Sequence, residues 1–153
     1  MSNNIASDAR FSRAQKELVA FVAGAIIPED TAQGMPGANS PQILQDILHT
    51  SERQSLELCE YVEAVSKEVA GCGFQDLDTV QMRELANHLA NSNVQEVQGF
   101  EGLVVQCYYR DDRVLAALGM EARAPFPQGY EVAAGDWELL DTVKRRPPFY
   151  RAV

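Results

Sequence analysis

Apolar residues between positions 11 and 119 recur at steps of three and four, the repeat of a helix face rather than of a strand. Phe11, Ala14, Leu18, Phe21, Val22, Ala25 and Ile26 form the first such row. Pro28 ends it, because proline disfavours the α region at the residue before it. Residues 29–39 contain Gly34, Met35, Pro36 and Gly37 and read as a loop. Ser40 is then an N-cap with Pro41 at the first helical position, ahead of a short helix carrying Ile43, Leu44, Ile47 and Leu48. Ser51 with Gln54 has the spacing of a capping box, and the helix it opens presents Ser55, Cys59, Val62, Val65 and Val69, with Gly71 as its stop.

The same grammar continues past the Gly71-Cys72-Gly73 break. Asp78 and Gln81 form a second box, with Leu77 and Met82 placed as a hydrophobic staple, before a helix carrying Leu85, Ala86 and Leu89. Another helix begins near Val94 and carries Val97, Phe100, Leu103, Val104, Cys107 and Tyr108. Asp111 or Asp112 caps a last short helix through Val114, Leu115 and Leu118, which Gly119 ends. The expectation is an all-α fold: a small bundle of about five to six helices over residues 11–122, behind a flexible N-terminus at 1–10.

From Arg123 onward the character changes. Residues 123–153 hold four of the seven prolines, the only tryptophan, and Phe126, Tyr130, Phe149 and Tyr150. Five basic residues face four acidic ones there, so this tail is +1 while the preceding residues carry −10. Without periodicity it cannot build a core of its own, and it reads as an extended arm. Either it packs back on its own helices or it lies along another protein; aromatics and arginine are the residue types enriched at binding hot spots.

Composition narrows the function. The chain has 153 residues, enough for one domain with a real core. A net charge of −9 repels phosphate and argues against nucleic acid. No apolar run is long enough for a membrane helix. Cys59, Cys72 and Cys107 cannot pair into a closed disulfide set and read as free thiols of a reducing compartment. The first residues hold neither a basic, apolar leader nor a twin-arginine pair, so the expectation is a cytoplasmic protein, or a periplasmic one if an export signal has been removed.

Chemistry is sparse. One carboxylate-x-x-His step, Asp46 to His49, has no second copy, and Glu84 with His88 is more simply a surface pair one turn apart. Two histidines leave little for zinc, Gly71-x-Gly73 lacks the third glycine of a dinucleotide loop, and neither histidine is placed to activate a cysteine. The expectation is no catalytic, metal or cofactor residue in this chain.

Two stretches nevertheless resemble a known family. Ile26-Ile27-Pro28-Glu29-Asp30, followed by Gly34-Met35-Pro36-Gly37-Ala38, looks like the opening of gluconate 2-dehydrogenase subunit 3 proteins. Tyr108-Tyr109-Arg110-Asp111-Asp112-Arg113-Val114, then Leu118-Gly119 and Pro125-x-Pro127-x-Gly129-Tyr130, is similar to that family's closing signature. The resemblance implies a non-catalytic, chaperone-like small subunit of an FAD-dependent oxidoreductase acting on sugars or other alcohols. It implies a large partner of the glucose-methanol-choline type that holds the FAD and the catalytic histidine. Family members often carry a twin-arginine signal, which this chain lacks, so a cytoplasmic two-subunit enzyme is expected. The expected partner-binding residues are Tyr108, Tyr109, Tyr130, Trp137, Arg145, Arg146, Phe149, Tyr150 and Arg151, with Lys144 beside them. For the Tyr108-Tyr109 pair, core filling stands equally open. The rival expectation is a free-standing helical protein that self-associates through the same tail.

Overall fold

The computed structural model describes residues 10–123, 129 and 134–147, with Val69 described by its backbone alone. The chain divides into two compact units, Met1–Ala122 and Arg123–Val153. In the first lie α1 (Arg13–Ile26), α2 (Pro41–Thr50), α3 (Glu52–Ala70), α4 (Thr79–Ala90), α5 (Gln95–Tyr108) and α6 (Asp112–Ala117), with a 3-10 turn at Phe74–Asp76. The second contains α7 (Leu139–Lys144). The fold is therefore all-α among the described residues, with six helices where five to six were expected and a seventh in the arm. No helix among the described residues is long and apolar enough to cross a membrane.

Helix α5 is the hub. It packs against α1, α2 and α3, while α4 packs against α1 and α3. Val97, Phe100, Leu103, Val104, Cys107 and Tyr108 of α5 are all buried. They meet Leu18, Val19 and Val22 from α1, Ile43 and Ile47 from α2, and Leu58 and Val62 from α3 in one core. Each such side chain contributes on the order of 1.5–3 kcal/mol through the apolar surface it removes from water. Two serines sit inside this core with their hydroxyls satisfied: Ser55 donates to Ser51 O and Ser66 to Val62 O, one turn back.

The helix starts show which sequence signals survive packing. Asp78 Oδ1 accepts from Val80 N and Gln81 N while Gln81 Oε1 accepts from Asp78 N, so the expected box is complete. Ser12 and Gln15 form a second box that the apolar pattern did not announce; it starts α1 after Phe11, which is buried just ahead of the helix. Ser51 caps α3 through Gln54 N, but the Gln54 side chain does not close the box. It donates to Gly99 O instead, at 3.3 Å, and so ties α3 to α5. Ser40 is the N-cap residue of α2 with Pro41 behind it, yet its hydroxyl caps nothing and accepts from Arg113. Gly71 ends α3 at φ 73°, a left-handed position that a side chain would strain.

The loop between α1 and α2 is tightly organised. Asp30 and Met35 exchange both backbone hydrogen bonds, at 3.0 and 2.9 Å. Asp30 Oδ1 accepts from Ala32 N and Gln33 N inside that turn. A Cβ on Gly37 would stand 2.5 Å from Asn39 Oδ1 and 3.1 Å from the Glu29 backbone nitrogen, so the close return of the loop favours glycine there. Ala38 N then donates to Ile27 O, and Ala38 is buried.

Candidate functional site

Two places gather the residues singled out by sequence. The first is the corner where α2, the end of α5 and the start of α6 meet. Tyr108 lies beneath it at 2% exposure, and its hydroxyl donates to Pro36 O at 2.9 Å. Burial pushes the Tyr108 phenol above its ordinary value. Tyr109, one residue on, is 52% exposed and stands edge-on to the Tyr108 ring at 5.4 Å. Of the two readings left open for this pair, Tyr108 takes the core one, being buried, while Tyr109 is half in solvent.

Two arginines close the corner. Arg110 donates through Nη2 to Asp46 Oδ2 at 2.6 Å and to Thr50 Oγ1 at 2.7 Å, which fastens the end of α5 to α2. Arg113 forks onto both oxygens of Asp111, each at 2.8 Å, and reaches Ser40 Oγ at 3.1 Å. The same Asp111 caps α6 by accepting from Arg113 N. Outside these contacts lies an open cleft of about 550 Å³, walled by Gln42, Asp46, Arg110, Asp112 and Arg113. Both guanidinium groups already hold carboxylates, so the corner acts as a fastener between chain segments 60 and more residues apart.

Asp111 makes that fastener sensitive to acid. Its carboxyl sits below the usual carboxylate range, chiefly because Arg113 hydrogen-bonds to it. A carboxyl depressed in the folded state adds stability above its unfolded pKa of about 3.9, and the gain disappears as pH falls through the folded value. The unfolding midpoint in urea is therefore expected to hold between pH 5 and 8 on this group's account and to fall below about pH 4. Asp111→Asn keeps a capping side chain but loses the ion pair. It should cost about 1 kcal/mol at neutral pH and flatten the acid limb.

The cysteines are free, with Cys59 and Cys107 buried and Cys72 half-buried. Burial, with Glu63 and Glu60 nearby, pushes the Cys59 thiol up to about 11. Cys107 is likewise raised by burial. Both are thus held as thiols at neutral pH, the unreactive form. Asp46, the carboxylate of the Asp46–His49 step, is committed to Arg110. Among the described residues no group of three or more His, Cys, Asp or Glu side chains could hold a metal ion.

The second place is the arm. Residues 134–147 are exposed throughout, and α7 has no buried residue. Trp137 is 73% exposed, Leu139 71% and Val143 55%, with Leu140 beside them. Lys144, Arg145 and Arg146 follow directly. Where an extended arm without periodicity was expected, the structure has the short helix α7, with Leu139 and Val143 one turn apart on it and Trp137 just ahead of its start. Tyr130, Phe149, Tyr150 and Arg151 lie outside the described residues.

Compared with protein-family models, with curated proteins and with solved structures, the chain matches none.

Proposed function

We propose that this chain is a non-catalytic small subunit that binds and stabilises the large, FAD-containing subunit of a glucose-methanol-choline type dehydrogenase acting on sugars or other alcohols. The observation that carries a docking role is the apolar face of α7, led by a tryptophan three-quarters in solvent. Exposed apolar residues gathered on one short element, bordered by cations, are the composition of an interface anchor. The flavoprotein as partner comes from the two stretches that resemble the subunit 3 family. Those stretches are far apart in sequence, and they meet at the hydrogen bond from Tyr108 to Pro36 O and the one from Arg113 to Ser40 Oγ just beyond the first stretch. In this reading the corner shapes the bundle, the arm and Tyr109 dock, and FAD and the reacting groups belong to the partner.

Co-expression with a large flavoprotein encoded beside this chain tests the reading. The expected result is a yellow heteromer in which flavin absorbance and this chain elute together, and less soluble flavoprotein when this chain is left out. A flavoprotein that folds, loads FAD and elutes identically without it would overturn the proposal.

A further inference from the structure

Charge along the arm is segregated. Asp136, Glu138 and Asp141 precede Lys144, Arg145 and Arg146, so residues 134–147 are neutral overall but acidic at one end and basic at the other. Such an order also suits the dipole of α7 itself. The dipole does not account for the exposed Leu139, Leu140 and Val143 on this six-residue helix, nor for the exposed Trp137 just ahead of it. A helix so short is marginal in water by itself, and α7 has no buried residue. A covering surface should therefore be apolar in the middle, basic where α7 begins and basic-seeking where it ends.

The arm itself has a surface of that description. We propose that two copies of this chain pair through residues 136–146, laid antiparallel about a two-fold axis. Turned end for end, the segment is its own complement. The acidic start of one copy, Asp136 and Glu138, comes opposite the basic end of the other, at Arg145 and Arg146. Leu139 meets Val143, and Arg145 reaches the ring of the second copy's Trp137. Asp141 pairs with Lys144 of its own chain at 3.3 Å, one turn along α7, so those two charges offset each other within each copy. A parallel arrangement would set acid against acid and base against base. An anionic lipid surface is the other partner that Trp beside Lys and Arg could suit. Three carboxylates on the same stretch cancel that attraction, and the second copy is favoured. The contact is small, so the pairing is weak and reversible. It gives the free subunit a cover for its docking face, released when a larger partner takes the arm.

This inference shares with the proposed function only the view of α7 as a docking face, and its test contains no flavoprotein. Sedimentation of the full chain over a range of concentrations should show a reversible monomer–dimer equilibrium that weakens with added salt. The triple variant Lys144→Glu, Arg145→Glu, Arg146→Glu makes the arm wholly acidic. The triple variant Asp136→Lys, Glu138→Lys, Asp141→Lys makes it wholly basic. Each alone should dimerise about tenfold more weakly or worse, and an equimolar mixture should regain dimer as a mixed species. Circular dichroism checks that the bundle, which these exposed positions do not build, stays folded. A chain that is monomeric at every concentration, or a dimer that neither variant weakens, overturns the proposal. A dimer weakened by both variants but not regained by mixing overturns it as well. Binding of the monomer to phosphatidylserine vesicles, with no dimer in solution, would assign the arm to membranes instead.

Discussion

Replacing Tyr108 with alanine will lower the stability of the helical unit by about 3–5 kcal/mol, the range for removing a buried aromatic ring from a packed core. The side chain is 2% exposed at the end of the row formed by Phe100, Leu103, Val104 and Cys107, so truncation leaves a cavity where α5 approaches α2. It also strips Pro36 O of its donor and loosens the loop that the hydroxyl holds. Tyr108→Phe separates these effects. It keeps the ring and loses only the hydrogen bond, at about 1 kcal/mol, or up to about 3 if the carbonyl stays dry and unpaired. Urea unfolding of both variants measures the difference, with unchanged denaturant slopes as the sign that the same transition is followed. An alanine variant within about 1 kcal/mol of the parent would mean that this ring is not part of the core. Tyr109→Ala, at a half-exposed neighbour, is the natural contrast.

That contrast bears on what the sequence could disclose. Tyr108 follows Val104 at four positions and Phe100 at eight, so its side of α5 was legible from spacing, whereas Tyr109 continues the exposed line from Val105. The Asp78–Gln81 box was legible because both partners lie within one turn and nothing else competes for them. Ser40 and Gln54 have equally good local signals. Each was diverted by a group brought in by tertiary packing, Arg113 in one case and Gly99 O in the other. The hold of Arg110 on Asp46 spans 64 positions and has no local signature at all. The corner was therefore invisible in the chain even though Ser40, Asp46, Arg110, Asp111 and Arg113 each fell in a stretch singled out for another reason. The arm failed differently. Trp137, Leu140 and Val143 give only two steps of a repeat, and the prolines on either side made the whole stretch read as extended. A six-residue helix is too short for a sequence pattern to stand out, but it is long enough to present a face.

Removing the most exposed part of that face should be the most damaging change to function that leaves the fold alone. Trp137→Ala in the co-expressed pair is expected to weaken retention of the flavoprotein by about thirtyfold, the equivalent of about 2 kcal/mol for the loss of an interface tryptophan. The helical content and unfolding midpoint of the isolated chain should not move, because the side chain is 73% exposed and supports no core residue. Trp137→Phe keeps an apolar anchor and should recover most of the binding, which a purely electrostatic contact would not distinguish from alanine. Charge reversal at Arg145 and Arg146 should act mainly on the association rate and its salt dependence, since rim cations steer more than they hold. If Trp137→Ala retains the flavoprotein as the parent does, docking belongs to another surface, and Tyr109 at the end of α5 is the next position to truncate. Loss of binding together with loss of helix would point to a role inside the fold, which the exposure of this residue argues against. The two readouts together separate an anchor from a structural residue, and the arm from the bundle that carries it.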